Sequence, residues 1–129
     1  MKATELMIGD WVKIKGHLDY DKVREIARDE SMQWYISFAC SATLFRAYEF
    51  EPIPLTPKIL EKNGFWVMEK VDNGAEEYIA YATNGLMFHY NRDNDYYFPN
   101  TPISWKYVHE LQHALRLCGL DELADNFKL

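Results

Sequence analysis

Two Asn-Gly pairs constrain the fold of this chain more than any other feature of its sequence. Asn73-Gly74 and Asn84-Gly85 each separate two short runs of alternating apolar and polar residues. A two-residue hairpin turn of the type that suits twisted strands needs positive φ at both central residues, and Asn-Gly adopts it at little cost. The segment 65–99 is therefore predicted to form a four-stranded antiparallel meander.

The first 54 residues predict a second β structure, separate from the meander. Four runs there are rich in β-branched and aromatic residues, and turn-forming residues lie between them. Short strands at this spacing are typical of a small curled sheet or an SH3-like barrel. The predicted strands lie in the runs 10–14, 21–27, 32–40 and 44–53.

A junction with several prolines follows, and it predicts a short linker helix over residues 57–62. Thr56 is a suitable N-cap, and Pro57 fits the first helical position because its missing N–H is not needed there. Asn63-Gly64 then supplies a left-handed stop. The junction divides the chain into two predicted parts, a small β subdomain over 1–54 and an α-β-meander-α subdomain over 55–129.

The last part of the chain predicts a helix from about Ser104 to Leu117, ended by Gly119. At about 100° per residue its apolar side chains form one stripe, which should be buried against the meander. The predicted fold class is therefore α+β. The residues of the stripe are Trp105, Val108, Leu111, Leu115 and Cys118.

This helix also carries His109-Glu110-Leu111-Gln112-His113, which fits the H-E-x-x-H pattern of zinc proteases. In such sites the two imidazoles bind one zinc ion, and the glutamate is the general base that activates the metal-bound water. The pattern makes a small zinc hydrolase an alternative, with His109 and His113 as ligands and Glu110 as base.

Other sequence features favour the interpretation that this motif lies on an exposed helix face and does not bind zinc. The helical wheel places both histidines opposite the apolar stripe, on a face predicted to be exposed. The sixteen residues after His113 offer no well-spaced third ligand. The sequence therefore predicts no cofactor and no catalytic residue.

The charge and the aromatic residues favour a binding protein. A net charge of −6 and a pI near 5.1 work against general affinity for nucleic acid, whose phosphates need Lys and Arg. Aromatic residues make up 16% of the chain and suit protein contacts or self-association. Stacking of single-stranded bases is a second alternative. The candidate contact residues are Trp34, Tyr35, Tyr78, Tyr81, Tyr96 and Tyr97.

The remaining features predict a cytoplasmic protein. Cys40 and Cys118 are too few for a disulfide framework and are expected to be free, buried thiols in a reducing compartment. No signal peptide and no membrane span are expected.

The segment 91–97 is similar to a calcium loop, but it lacks the glycine and the closing glutamate, so a hairpin turn is the better interpretation.

Three segments, taken in order, resemble a family of small uncharacterised proteins encoded by Bacteroides-type gut bacteria and their prophages or mobile elements. They are ELMIGDWV, EPIPLTPKILEKNGF and YVHELQHALRLCGL. The resemblance implies an accessory protein of phage or mobile-element origin. It also implies that the zinc motif is not a family feature, since relatives often carry Gln at the place of Glu110 and Asn at that of His113. It transfers no functional residue.

Overall fold

The computed structural model describes residues 2–16, 19–39, 41–46, 49–74, 77–83, 85–92 and 95–129 of the chain. It is a mixed helix-and-sheet structure with two antiparallel sheets, so the α+β class is confirmed. None of the helices in these segments has the length and apolar character needed to cross a bilayer. His17, Cys40, Asn84 and the central residues of the predicted calcium-like loop, 93 and 94, lie outside the described residues.

The first sheet has five strands in the order β4-β3-β2-β1-β5, preceded by a short 3₁₀ turn at Ala3–Glu5. A bulge in β2 between Val23 and Glu25 interrupts its register with β3, and bulges bend strands. Within the described segments no pairing joins β4 to β5, so the sheet is not closed into a barrel there. The strands are Trp11–Ile14 (β1), Tyr20–Arg28 (β2), Trp34–Phe38 (β3), Ser41–Arg46 (β4) and Phe50–Glu51 (β5).

The second sheet also has five strands, in the order β10-β9-β8-β7-β6. The predicted meander is present, with β6 to β9 paired in sequence. A fifth strand joins it where a helix was predicted, because Ser104 and Trp105 pair with Tyr97 and Tyr96. The strands are Trp66–Asp72 (β6), Glu77–Thr83 (β7), Leu86–Asn91 (β8), Asp95–Tyr97 (β9) and Ser104–Trp105 (β10).

The described segments also contain three α-helices, namely Pro57–Lys62 (α1), Val108–Leu117 (α2) and Asp121–Asp125 (α3). The predicted linker helix is confirmed in its bounds, and Thr56 Oγ1 accepts a hydrogen bond from the N–H of Ile59 at 3.3 Å as an N-cap should. Helix α2 ends before Gly119, whose φ of +77° fits the predicted left-handed stop.

The chain divides into two compact units. The first contains Met1–Pro54 and Tyr107–Asn126, and the second contains Leu55–Lys106 and Phe127–Leu129. The break between the two units follows Pro54. Helix α2 belongs to the first unit, whereas the predicted subdomain 55–129 includes it. Backbone pairing anchors it there, since the N–H of Val108 donates to the carbonyl of Ile53 at 2.9 Å.

Each unit has an apolar interior. In the first unit, eight buried residues form one cluster: Ala3, Leu6, Val12, Ile14, Val23, Ile36, Phe38 and Phe50. In the second unit the interior is aromatic, and Phe88 lies at its centre. The ring centroids of Phe65 and Trp105 both lie 5.2 Å from that of Phe88, within the usual range for favourable aromatic pairs.

Candidate functional site

Asp10 lies at the centre of a polar network in the first unit. Its side chain is fully buried, and it accepts hydrogen bonds at Oδ2 from the Met7 N–H at 2.7 Å and at Oδ1 from Arg116 Nη1 at 2.8 Å. Nε2 of His113 lies 2.6 Å from Oδ2 of Asp10. Because a carboxylate only accepts, Nε2 of His113 is the donor of this hydrogen bond. Arg116 compensates the buried negative charge.

Gln112 makes a second set of contacts from the same helix. Its side-chain oxygen accepts from the N–H of Trp11 at 3.0 Å, and its side-chain nitrogen donates to the carbonyls of Gly9 and Ala124 at 2.9 and 3.0 Å. The side chain is completely buried. Backbone groups from two segments far apart in the sequence, Gly9–Trp11 and Ala124, therefore share one amide, which ties β1, α2 and α3 together.

These contacts correct the prediction that His109 and His113 lie on an exposed face. His109 is only 5% exposed, and Gln112 is fully buried beside it. The apolar stripe is buried as predicted at Val108, Leu111 and Leu115. Helix α2 therefore buries side chains around most of its circumference. Periodicity did not show this because the segment Met7–Trp11 supplies polar partners for its polar side.

A cleft of about 530 Å³ opens beside this network at the start of α2. It contains two carboxylates, two imidazoles and one aromatic ring. The N–H of Tyr107 donates to Oε1 of Glu110 at 3.1 Å, which satisfies one backbone donor of the first helical turn. The described residues that line the cleft are Glu5, Pro52, Tyr107, His109, Glu110 and His113.

His109 is the unusual residue of the cleft. Its Nδ1 is buried and has no hydrogen-bond partner among the described residues. A buried polar atom left unsatisfied costs about 1–3 kcal/mol. Burial lowers the pKa of His109 below its ordinary value of 6.5, and the charge of Asp10 offsets part of that shift. The ring is therefore neutral at neutral pH, and its plane stacks with that of Tyr107 at a centroid distance of 6.1 Å.

The two histidines of the zinc motif do meet, with ring centroids 5.7 Å apart and planes at 80°. However, Nε2 of His113 is bonded to Asp10. Within the described part of the chain, no three His, Cys, Asp or Glu side chains are grouped closely enough to hold a metal ion. The zinc hydrolase with Glu110 as base stays a prediction, and this geometry adds no third ligand to it.

The aromatic contact candidates divide into two groups. Tyr81 and Tyr96 are buried, at 4% and 5% exposure, so their assignment to a contact surface is wrong. Their rings pack 6.1 Å apart in the aromatic interior of the second unit. Burial also raises the pKa of Tyr96 far above its ordinary range. The alternating pattern of a strand cannot tell a packed tyrosine from an exposed one.

The other four candidates are half-buried: Trp34, Tyr35, Tyr78 and Tyr97. Trp34 packs on the core of the first unit, and the Arg28 guanidinium lies 4.4 Å from its ring centroid. Tyr78 Oη lies 2.7 Å from Nε2 of His89. These contacts within the chain explain why Trp34 and Tyr78 are half-buried, so no partner protein is needed to explain it.

Strand β6 is the exposed apolar surface that the sequence did not reveal. All seven of its residues are exposed, and four of them are large and apolar: Trp66, Val67, Met68 and Val71. The strand lies at the edge of its sheet, and among the described segments it pairs only with β7. The sequence did contain one sign that β6 is an edge strand. Glu69-Lys70 places two charges in the middle of its apolar run, as is common on edge strands.

Cys118 also differs from the prediction. It is free as expected, but it is exposed and not buried. It follows the last turn of α2, where the apolar stripe turns toward solvent together with Leu117, which is 80% exposed.

The fold and site thus define a two-unit α+β protein with a polar cleft in one unit and an open sheet edge in the other. A scan against protein-family models and searches of curated proteins and of solved structures found no match. The resemblance to small phage-borne proteins therefore stays a prediction.

Proposed function

We propose that this chain is a non-catalytic binding protein that acts through protein–protein contacts, and that its binding surface is the open edge at β6. The exposure of every residue along this edge strand carries the proposal. Trp66, Val67 and Met68 are each more than half exposed. Isolated exposed apolar residues are ordinary, but a contiguous row of them is typical of an interaction site.

The placement of these side chains favours an extended strand as the partner. Successive residues of a strand point to opposite faces, so Trp66 and Val67 project from the two faces of the sheet. A helix covers only one face. An added strand hydrogen-bonds to the free edge and places side chains beside β6 on both faces.

Strand β6 is more suited to pair with a strand of a different protein than with β6 of a second copy of this chain. A symmetric antiparallel pair that uses the whole of β6 would place Glu69 of the two copies opposite each other. Like charges directly opposite are destabilising. A complementary partner strand carries a basic residue opposite Glu69, an acidic residue opposite Lys70 and apolar residues opposite Val67 and Val71.

Two further expectations belong to this proposal. The accessory role in a phage or mobile element implied by the sequence resemblance is one of them, with action in the cytoplasm. The other is an SH3-like architecture for the first unit, which the strand order β4-β3-β2-β1-β5 and the bulge in β2 support. Binding of single-stranded nucleic acid has less support, because the net charge is −6.

Photo-cross-linking in the native host tests the proposal. A photoreactive amino acid at the position of Trp66 is expected to capture one defined protein, and Val67→Lys and Val71→Lys should abolish that adduct, because inserted lysines block edge pairing. Both variants should fold, since surface changes usually alter stability by about 0.5 kcal/mol or less.

Matched controls make the result specific. The same photoreactive group at Tyr20, an exposed aromatic position of the first unit, should not give the adduct. Met32→Lys adds a lysine at another exposed apolar position and should leave the adduct unchanged. An adduct at position 66 that survives both β6 lysines would contradict the proposal. A dimer in sedimentation that these lysines dissolve would show that the partner is a second copy instead.

A further inference from the structure

A cavity of about 420 Å³ lies in the second unit, at the β9–β10 end of its sheet and at the opposite end from β6. Small-molecule sites commonly occupy about 300–1,000 Å³, so the cavity is large enough for a small ligand. It is lined by β9, by the start of β10 and by the connection between these strands. The described residues that give it polar groups and an aromatic ring are Asp95, Tyr97, Asn100, Thr101 and Ser104.

The strand pairing places this cavity on the open face of the sheet. Tyr97 pairs with Ser104, and Tyr96 pairs with Trp105. Successive side chains of a strand point to opposite faces, so the two pairs lie on opposite faces of the sheet. Tyr96 and Trp105 are buried in the aromatic interior. Tyr97 and Ser104 therefore face away from that interior and line the cavity.

The connection that lines the cavity is held in shape by its own hydrogen bonds. The N–H of Phe98 donates to the carbonyl of Ile103 at 3.1 Å, which closes the connection between the two strands. Thr101 Oγ1 donates to the carbonyl of Phe98 at 3.0 Å and accepts from the N–H of Ile103 at 3.3 Å. A site that is formed before its ligand arrives loses less entropy on binding.

The ring of Tyr97 is also fixed in position. It packs against the His89 ring at a centroid distance of 5.7 Å, with the two planes at 90°. Its Oη accepts a hydrogen bond from Nδ2 of Asn91 at 3.3 Å. The cavity therefore combines a rigid apolar ring with the polar groups of the connection.

The charges around the cavity favour a neutral ligand. No Lys, Arg or His is found among the described residues that line it, so an anion would lack a positive partner. The carboxylate of Asp95 lies 3.6 Å from Nζ of Lys106, which balances its charge. A wholly apolar ligand would take the Asn100 amide and the Ser104 hydroxyl out of water without hydrogen bonds, which is unfavourable.

A sugar matches these requirements. The C–H groups of a sugar ring form apolar faces that pack on an aromatic ring, and its hydroxyls both donate and accept hydrogen bonds. The Asn100 amide and the Ser104 hydroxyl can also both donate and accept, and neither has a hydrogen-bond partner among the described residues. Asp95 adds further acceptor oxygens.

We propose that this cavity binds a small neutral saccharide, with a C–H face of the sugar on the Tyr97 ring and its hydroxyls bonded to Asn100 and Ser104. The same chemistry is presented by a free sugar and by one unit of a longer glycan. The site uses none of the β6 residues. Val67→Lys and Val71→Lys should therefore leave saccharide binding unchanged, and this proposal and the one for β6 can fail separately.

Amide NMR of the whole chain with the methyl glycosides of glucose, galactose, mannose and N-acetylglucosamine tests the site. At least one glycoside should bind with millimolar affinity and shift the amides of residues 95–104, while the amides of β1 stay in place. A linear trisaccharide of the sugar that binds distinguishes the sources. Tighter binding of the trisaccharide would identify a glycan, and equal binding would identify a free sugar.

Two variants locate the sugar. Tyr97→Leu should weaken binding about tenfold, because it removes the aromatic face. Asn100→Gly should weaken it about fivefold by removal of the amide. The φ of Asn100 is +61°, which glycine adopts without strain, so this variant should fold. The matched controls are Tyr20→Leu, at an exposed tyrosine of the first unit, and Met32→Gly, at an exposed residue with a φ of +64°. Neither should change binding.

Two results would overturn the proposal. One is that none of the four glycosides shifts the amides of residues 95–104 in the folded protein, even at high millimolar concentration. The other is binding that Tyr97→Leu and Asn100→Gly leave as strong as the two control variants do. Shifts of the same amides with tetramethylammonium or acetate, and with none of the glycosides, would assign the cavity to a charged ligand and equally refute the saccharide site.

Discussion

Replacement of Gln112 by methionine is the most informative perturbation of the first unit. Methionine has nearly the same length and shape, so the change removes polar atoms without opening a large cavity. The N–H of Trp11 and the carbonyls of Gly9 and Ala124 all lose their Gln112 partner.

The magnitude follows from burial. Gln112 is fully buried, so water cannot readily replace the three lost hydrogen bonds. Each group that loses its partner costs about 1–3 kcal/mol, so the three together cost about 3–9 kcal/mol, and the apolar gain of methionine offsets about 1.5–3 kcal/mol of this. Whole domains are stable by only about 5–15 kcal/mol. The substitution should therefore remove a large part of the stability of the first unit.

Urea unfolding combined with hydrogen exchange measures this effect. The free energy of unfolding should fall, and the Trp11 amide should lose most of its protection because it loses the Gln112 acceptor. Gln33→Met is the matched control, since it makes the same change at the only other glutamine, which is exposed. If Gln112→Met costs no more than Gln33→Met, the account of how α2 is held in the first unit is wrong.

Three other perturbations have defined outcomes. Asn63→Ala should destabilise the second unit by about 2–3 kcal/mol in thermal unfolding, because the amide bonds the carbonyls of Ile59 and Lys128 and the Lys128 N–H. Stability should fall as pH drops below 6.5, because the pKa of His109 is lowered on folding and the unfolded chain takes up the proton first. His109→Gln should reduce that pH dependence in urea midpoints, and an unchanged dependence would refute the assignment. Cys118 should react with a maleimide in the native protein, and peptide mapping should find that adduct absent from Cys118→Ser.

Local signals in the sequence predicted the local structure well. Thr56, Pro57 and Asn63-Gly64 fix the linker helix because capping and left-handed stops depend on a few adjacent residues. The meander follows from its turns for the same reason. The sequence predicts a helix at Ser104 and Trp105, since nothing nearby in the sequence shows that they pair with β9.

The candidate site depends on contacts between distant segments, which periodicity does not encode. The helical wheel of α2 separates apolar from polar side chains, but it does not show that Asp10 lies opposite His113 and Arg116. The wheel alone therefore predicts that the polar side of α2 is exposed. In the same way, the sequence of β6 does not show that this strand lies at a sheet edge with its apolar residues exposed.

The most direct test of the central claim is amide hydrogen exchange of β6 in the complex with its cross-linked partner. Strand addition at this edge hydrogen-bonds the outward-pointing N–H groups, so those amides within Trp66–Asp72 should become protected while the amides of β1 do not change. If the partner binds and every β6 amide exchanges as fast as in the free protein, the edge is not the binding surface.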